Sequence, residues 1–176
     1  KMQRASPEAS AVLELNRAAL HWFSDYFGHR YPFAKYDLLL IPELPYGGME
    51  HAGATFLREE SVLFPSAPSV NDVLRRAQLV LHETSHQWFG DLTTMRWFDD
   101  LWLKEGFANF MAAKIVNPSF PTVNHELRFL LSNYPDAYSV DRTAGSNPIR
   151  QPLSNLTVAG QMDGPLIYEQ APVVMP

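Results

Sequence analysis

The residues best suited to chemistry are two histidines four positions apart, in the segment His82-Glu83-Thr84-Ser85-His86. On a helix, residues at i and i+4 lie on one face, one turn apart, so both imidazoles can reach a single cation. Glu83 follows the first histidine and would stand beside that cation, where a general base belongs. The same spacing arises by chance on amphipathic helices, so the pentapeptide alone is equally compatible with two ordinary helix histidines.

A third candidate ligand, Glu105, follows His86 after eighteen intervening residues. It falls among the bulky apolar residues Trp102, Leu103 and Phe107 of a second predicted helix. A buried carboxylate is costly unless a positive charge compensates it, and a metal ion supplies that charge. Imidazole and carboxylate ligands suit zinc, and three protein ligands leave a fourth position for water. We therefore expect one zinc ion per chain, held by the two histidines and this glutamate.

The first of the two helices that must position these ligands is predicted from about residue 72 to residue 89. Either Ser69 or Asn71 is a suitable N-cap, and Gly90 is expected to end the helix. Apolar residues at helical spacing give the helix one packed side. Two arginines of the same segment are expected to be solvated: Arg75 and Arg76.

The second helix is predicted to begin at Asp99 or Asp100 and to run to about Ile115. Asn109 lies one turn after the glutamate on the same face, where it either donates a hydrogen bond to a metal ligand or simply packs. Residues 91–98 connect the two helices. Two aromatic residues of this connection are expected to line or support the site: Trp97 and Phe98.

The remaining segments predict a first helix, a few strands and a more broken C-terminal third. Three histidines outside the pentapeptide have no matching ligand nearby in sequence; we expect His21 and His29 to be solvated or packed and His125 to be exposed. The predicted elements are a helix over 7–28, strands over 36–42 and 49–57, a loop over 58–68, a helix over 121–133 and a break at 134–136.

Two long segments, residues 82–91 and 97–108, resemble the corresponding segments of the zinc aminopeptidase N family. The members of this family are gluzincin metallo-aminopeptidases. The resemblance implies zinc ligation by His82, His86 and Glu105 and activation of a water by Glu83. It also implies an α+β fold, a thermolysin-like catalytic domain with a small mixed sheet and a helical part. Family members are several times longer, so we expect residues 1–176 to form one such domain, excerpted from a chain whose other domains would be its partners.

The segment Gly47-Gly48-Met49-Glu50-His51 resembles the substrate-binding signature of the same family, in which the last residue is usually Asn. A strand along a cleft can pair with an extended peptide, and the two glycines allow positive φ or a close backbone approach. The Glu50 carboxylate can hold a free α-ammonium, which would make the enzyme an exopeptidase. His51 could donate to a substrate carbonyl, be a packing variant, or bind a stray metal ion.

Tyr168, sixty-three residues after Glu105, lies in a segment that resembles the one carrying the family's catalytic tyrosine. A phenol can donate a hydrogen bond to an oxygen on which negative charge develops. By itself, the residue would be an ordinary buried or interfacial tyrosine. Taken together, the resemblances imply a zinc aminopeptidase acting on peptides with a free N-terminus.

Composition narrows the classes of partner. The chain has 176 residues and suits one domain with a core. Its net charge of −5, without long runs of one sign, argues against nucleic acid or an anionic membrane as the main partner. Cysteine is absent, which excludes disulfides and thiolate metal sites. No apolar run approaches the roughly 20 residues of a membrane-spanning helix, and the compartment stays open.

Two other functions remain compatible with the ligand pattern. A thermolysin-type endopeptidase shares the same three ligands, but the segment from Gly47 to Glu50 argues against it. A non-catalytic, zinc-stabilised interaction domain would not need the general base, the amine anchor and the tyrosine, all of which are present in the sequence.

Overall fold

A computed structural model describes residues 6–144, 146–157, 164 and 167–168. These residues form helices around a small mixed sheet, so the predicted α+β class is confirmed. In chain order the elements are α1 (Ser6–Phe27), β1 (Asp37–Ile41), β2 (Gly48–Met49), β3 (Ala54–Arg58), α2 (Glu59–Val62), α3 (Val70–His86), a 3₁₀ turn (Phe98–Asp100), α4 (Leu101–Ser119) and α5 (His125–Asp141).

The sheet has the strand order β1-β3-β2, with β1 parallel to β3 and β2 antiparallel to it. The prediction of one continuous strand over 49–57 was wrong, because a turn separates β2 from β3. Gly53 makes that turn at φ +69°, and an added Cβ would lie 2.9 Å from the Lys35 carbonyl oxygen. The turn takes Glu50 and His51 out of the strand ladder.

Helix α3 begins at Val70, two residues before the predicted start, and of the two predicted N-caps Ser69 is the one found. The Ser69 hydroxyl accepts from the backbone N–H of Asp72, whose carboxylate accepts from the Ser69 N–H in return. This reciprocal arrangement satisfies two otherwise unpaired donors. The helix ends at His86, three residues before the predicted end, and Gly90 follows at φ +138°.

Arg76 corrects the prediction that both arginines of α3 are solvated, since only 6% of it is exposed. Its guanidinium pairs with Glu8 of α1, donates to the Val62 carbonyl oxygen at 3.3 Å and lies 4.9 Å from the Phe64 ring centroid. The helix turns Arg76 toward α1 and α2, while its neighbour Arg75 stays exposed beside Asp72. Burial is tolerated here because the charge is paired.

The hydrophobic core lies between α1, α3 and α4, with β3 contributing Leu57. Helix α3 packs against both of its neighbours, so the helix that carries the histidines is central in the domain. A buried polar contact joins α1 to α3, where Asn16 Nδ2 donates to Thr84 Oγ1 at 2.8 Å. The principal buried apolar side chains are Val12, Ala19, Phe23, Leu57, Leu74, Val80, Met111 and Val116.

Several predicted boundaries differ from the structure. The predicted loop over 58–68 contains α2, and α4 continues through Pro118 to Ser119. Helix α5 begins at His125 and passes through Pro135 to Asp141, so the predicted break at 134–136 is absent. A proline removes one intrahelical hydrogen bond, and these helices continue despite that loss. None of the described helices combines the length and apolar character needed to cross a membrane.

Candidate metal centre and substrate cleft

The two histidines and the distant glutamate meet where α3 packs against α4. His82 Nε2 and His86 Nε2 are 3.0 Å apart, and Glu105 Oε2 lies 3.4 Å from the first and 3.3 Å from the second. All three side chains are largely buried, with 1% of His86 and 5% of Glu105 exposed. The structure thus brings together the three donor atoms that the sequence predicted.

The donor set fits a tetrahedral zinc ion. Ligand atoms about 2.0–2.1 Å from zinc in tetrahedral geometry lie about 3.3–3.4 Å from one another, close to the three observed separations. The second ring nitrogen of His86, Nδ1, contacts the Phe89 carbonyl oxygen at 3.0 Å. Because a carbonyl can only accept, Nδ1 must carry the proton, and a neutral ring then presents its Nε2 lone pair to the cluster.

The Glu83 carboxylate is buried beside this cluster, with 4% of the residue exposed. A Cβ added at Gly48 would lie 2.4 Å from Glu83 Oε1, so the carboxylate occupies space that the glycine leaves free. Of the two predicted uses of Gly47 and Gly48, close approach is the one found, since neither has positive φ. Among the described residues, Glu83 Oε2 has no hydrogen-bond partner. Burial raises the pKa of Glu83 to about 8, so this group can hold or release a proton near neutral pH.

Glu50 follows β2 and is also buried, with 8% exposed. Its backbone is fixed by Gln87, whose Nε2 donates to the Glu50 carbonyl oxygen at 3.2 Å and whose Oε1 accepts from the Gly53 N–H at 2.9 Å. Gln87 is fully buried, and sequence reasoning missed its role. The one available signal was a polar residue directly after the second histidine, on the helix's packed side.

Lys104 is the second residue that sequence reasoning missed. Its ammonium bonds both Glu50 Oε1 and Glu105 Oε1. Burial alone would lower the pKa of Lys104, but the two carboxylates raise it above its usual range, so the residue remains a cation. Burial alone would raise the pKa of Glu105, but its contacts with the His82 and His86 rings and the charge of Lys104 hold that pKa well below its ordinary value. The cluster therefore contains ionised carboxylates at fixed positions.

A cleft of about 1050 Å³ opens over these groups. Gly47, Gly48 and Met49 line one side of it, together with Glu50, and the helices α3, α4 and α5 line the rest. His51 is not among the lining residues: it is exposed, and its ring centroid lies 4.6 Å from that of Phe56. The carboxylates and the histidine that line the cleft at the donor cluster are Glu50, Glu83, Glu105 and His82.

Tyr168 lines the same cleft, with its ring centroid 6.2 Å from that of His82. Its carbonyl oxygen accepts a hydrogen bond from Asn109 Nδ2 at 2.7 Å. Asn109 therefore contacts the tyrosine backbone, a partner that neither sequence-based alternative named. The segment after residue 168 lies outside the described residues.

The sequence also made predictions for three residues of the surrounding segments, two expected to line or support the site and one expected to be exposed. Phe98 lines the cleft and packs against Leu153. Trp97 supports the same segment, because its Nε1 donates to the Leu153 carbonyl oxygen. His125 is half-buried and lines the cleft, with Nε2 3.0 Å from the Phe120 carbonyl oxygen, so the expectation that it is exposed was wrong. The turn that begins α5 folds this ring back toward α4.

Comparison with known proteins agrees with this geometry. Residues 11–175 match the model of the Peptidase family M1 domain. Leucyl aminopeptidase of Saccharolobus solfataricus is 36% identical over 156 residues, which are 89% of this chain and 20% of that protein. Aminopeptidase N of Streptomyces lividans is 38% identical over 151 residues, 85% of this chain and 18% of that protein.

A human aminopeptidase is similar to this chain to about the same degree. Endoplasmic reticulum aminopeptidase 2 of Homo sapiens is 35% identical over 165 residues, 93% of this chain and 17% of that protein. The chain spans between about a sixth and a fifth of the length of these curated relatives. The chain belongs to peptidase family M1.

Proposed function

We propose that this chain is the catalytic domain of a zinc aminopeptidase, with a thermolysin-like arrangement of sheet and helices. The observation that carries the proposal is that the buried Glu50 carboxylate lines the same cleft as His82 and Glu105, two members of the His82–His86–Glu105 donor group. A carboxylate near the metal centre favours substrates with a free α-ammonium. The relatives named above are all aminopeptidases, which supports the same choice. We further propose that residues 1–176 are one domain of a longer polypeptide.

His82, His86 and Glu105 would hold the zinc ion. When bound, zinc acts as a Lewis acid that polarises the scissile carbonyl and makes a bound water more acidic. Glu83 takes the proton from the attacking water, and Oε2, which has no hydrogen-bond partner in the part of the chain that the structure describes, is the atom available to receive it. It then passes the proton to the leaving amine. A raised pKa suits a group that must do both near neutral pH.

The substrate is held by two features of the cleft wall. Glu50 binds the α-ammonium of the first residue and so sets the distance from the N-terminus to the scissile bond. Its pKa stays below the ordinary value because, although burial opposes ionisation, electrostatic attraction from the neighbouring His86 and Lys104 side chains favours it. The backbone of Gly47, Gly48 and Met49 would run beside the substrate chain, as in β-augmentation. His51 stays a candidate contact for residues beyond the cleft edge.

Tyr168 supplies the remaining group. Its hydroxyl would donate a hydrogen bond to the carbonyl oxygen as negative charge develops there, a contribution that strengthens in the transition state. Asn109 lies on α4, one turn after Glu105, and its side chain holds the Tyr168 backbone by a hydrogen bond to the carbonyl oxygen. Helix α4 thereby links the position of the oxyanion donor to that of a metal ligand.

The test combines an aminoacyl anilide, an N-acetylated peptide and metal analysis of the purified protein. We expect about one zinc per chain, hydrolysis of the anilide, and no cleavage of the acetylated peptide. Cleavage of the acetylated peptide would identify an endopeptidase instead. Stoichiometric zinc without turnover of either substrate would identify a non-catalytic, zinc-stabilised domain.

A variant tests the amine anchor separately. We expect Glu50→Ala to lose turnover of aminoacyl substrates while retaining zinc, because Glu50 is not one of the three donors. Unchanged kcat/KM in this variant would refute its assignment as the anchor.

A further inference from the structure

Lys104 connects two carboxylates that come from different parts of the fold. Its ammonium bonds Glu50, which follows β2, and Glu105, which lies on α4. The side chains of all three residues are largely buried, with 14% of Lys104, 10% of Glu50 and 6% of Glu105 exposed. Because the ion pairs are shielded from solvent, they constrain geometry more than a surface pair would.

The contacts divide the oxygens of Glu105 between two tasks. Oε1 bonds Lys104, whereas Oε2 faces His82 and His86. Rotation of the carboxylate away from the histidines would break the contact to Lys104. The lysine therefore holds Oε2 of Glu105 toward the two histidines, which together would hold the metal ion.

Lys104 performs this task without occupying the substrate's space. Glu50 and Glu105 line the cleft, but Lys104 does not, so it approaches both carboxylates from behind the cleft wall. Gly90, at φ +138°, lies beside this approach: an added Cβ would be in ordinary contact with Lys104 Cδ at 3.4 Å and in tighter contact with His86 Nδ1 at 3.3 Å. A substrate ammonium can thus reach Glu50 from the open side while Lys104 holds it from the other.

We propose that Lys104 is a positioning residue that sets the amine anchor Glu50 and the third metal ligand Glu105 in one fixed relation. It holds the two neighbouring carboxylates in fixed orientations across the junction of the sheet and the helices. The proposal rests on the zinc aminopeptidase function proposed above. Its consequence is that the loss of one side chain weakens two properties together, the affinity for zinc and the affinity for a substrate amine.

The test measures the zinc dissociation constant by competition with a chelating dye, independently of activity. Outer contacts to metal ligands change metal affinity by about 10- to 100-fold, so we expect Lys104→Met to raise the constant by that factor and also to raise KM for an aminoacyl anilide. Lys104→Arg keeps the charge, and we expect a zinc affinity close to that of the unaltered protein. Lys114→Met, an exposed lysine on the same helix, is the matched control and should change neither constant.

A double variant separates positioning from a general structural effect. If Lys104 acts on substrate binding through Glu50, Lys104→Met should raise KM little further in a Glu50→Gln background, while its effect on zinc affinity persists. Unchanged zinc affinity in folded Lys104→Met would overturn the proposal. If the methionine variant does not fold, an equal loss of zinc affinity in Lys104→Arg and Lys104→Gln would overturn it too. Failure of the unaltered protein to bind zinc would refute the proposed function instead.

Discussion

Replacing Gln87 by leucine tests whether this buried amide holds Glu50, the proposed amine anchor, in place. Leucine has a similar volume but neither hydrogen-bonding group. The Glu50 carbonyl oxygen and the Gly53 N–H, which now bond the amide at 3.2 and 2.9 Å, would be left without that partner. Gln87 is fully buried, so water has little access to replace the lost bonds.

The expected magnitude follows from these two groups. An unsatisfied buried donor or acceptor costs about 1–3 kcal/mol, so two of them should lower the free energy of unfolding by about 2–6 kcal/mol. This is a large part of the roughly 5–15 kcal/mol of an ordinary domain. Because the turn that carries Glu50 would be released from α3, we also expect a higher KM for aminoacyl substrates.

The assay is urea denaturation followed by circular dichroism, together with steady-state kinetics on an aminoacyl anilide. Gln78→Leu is the matched stability control, since Gln78 lies on α3, the helix that Gln87 directly follows, but is only half-buried and bonds the guanidinium of Arg128. We expect that control to change the free energy of unfolding by less than about 1 kcal/mol. A similarly small change for Gln87→Leu, with unaltered KM, would refute the reasoning.

Three further substitutions have defined expectations. Glu83→Gln should keep zinc but lower kcat by about 10²–10⁴-fold, the usual contribution of a general base, and near-normal turnover would remove its role. Tyr168→Phe should lower kcat by about 10²–10³-fold with unchanged zinc content. A normal kcat would show that the hydroxyl does not stabilise the transition state. Arg76→Met should lower the free energy of unfolding by about 1–3 kcal/mol, because it leaves Glu8 unpaired with 27% of its side chain exposed; an unchanged urea midpoint would contradict this.

The donor triad could be predicted because its determinants are local. A spacing of four residues on one helix fixes the relative position of His82 and His86, and Glu105 is recognised by its place among apolar residues. The helix start at Ser69 was predictable for the same reason, since a cap depends on residues within one turn. In each case the sequence neighbourhood contains the physical cause.

Gln87, Lys104 and Arg76 could not be predicted, because their partners are distant in sequence. Gln87 bonds residues 34 and 37 positions away, and Lys104 bonds one 54 positions away. A polar residue beside a buried position usually points to solvent, so only the folded arrangement identifies these three as buried. The continuation of α5 through Pro135 was missed because tertiary packing outweighs local propensity.

The most direct test of the metal centre is anomalous diffraction at the zinc edge from crystals of the zinc-loaded protein. We expect one anomalous peak per chain, about 2.0–2.1 Å from His82 Nε2, His86 Nε2 and Glu105 Oε2. A fully loaded crystal with its zinc peak elsewhere, or with the Glu105 carboxylate turned away from the ion, would contradict the account.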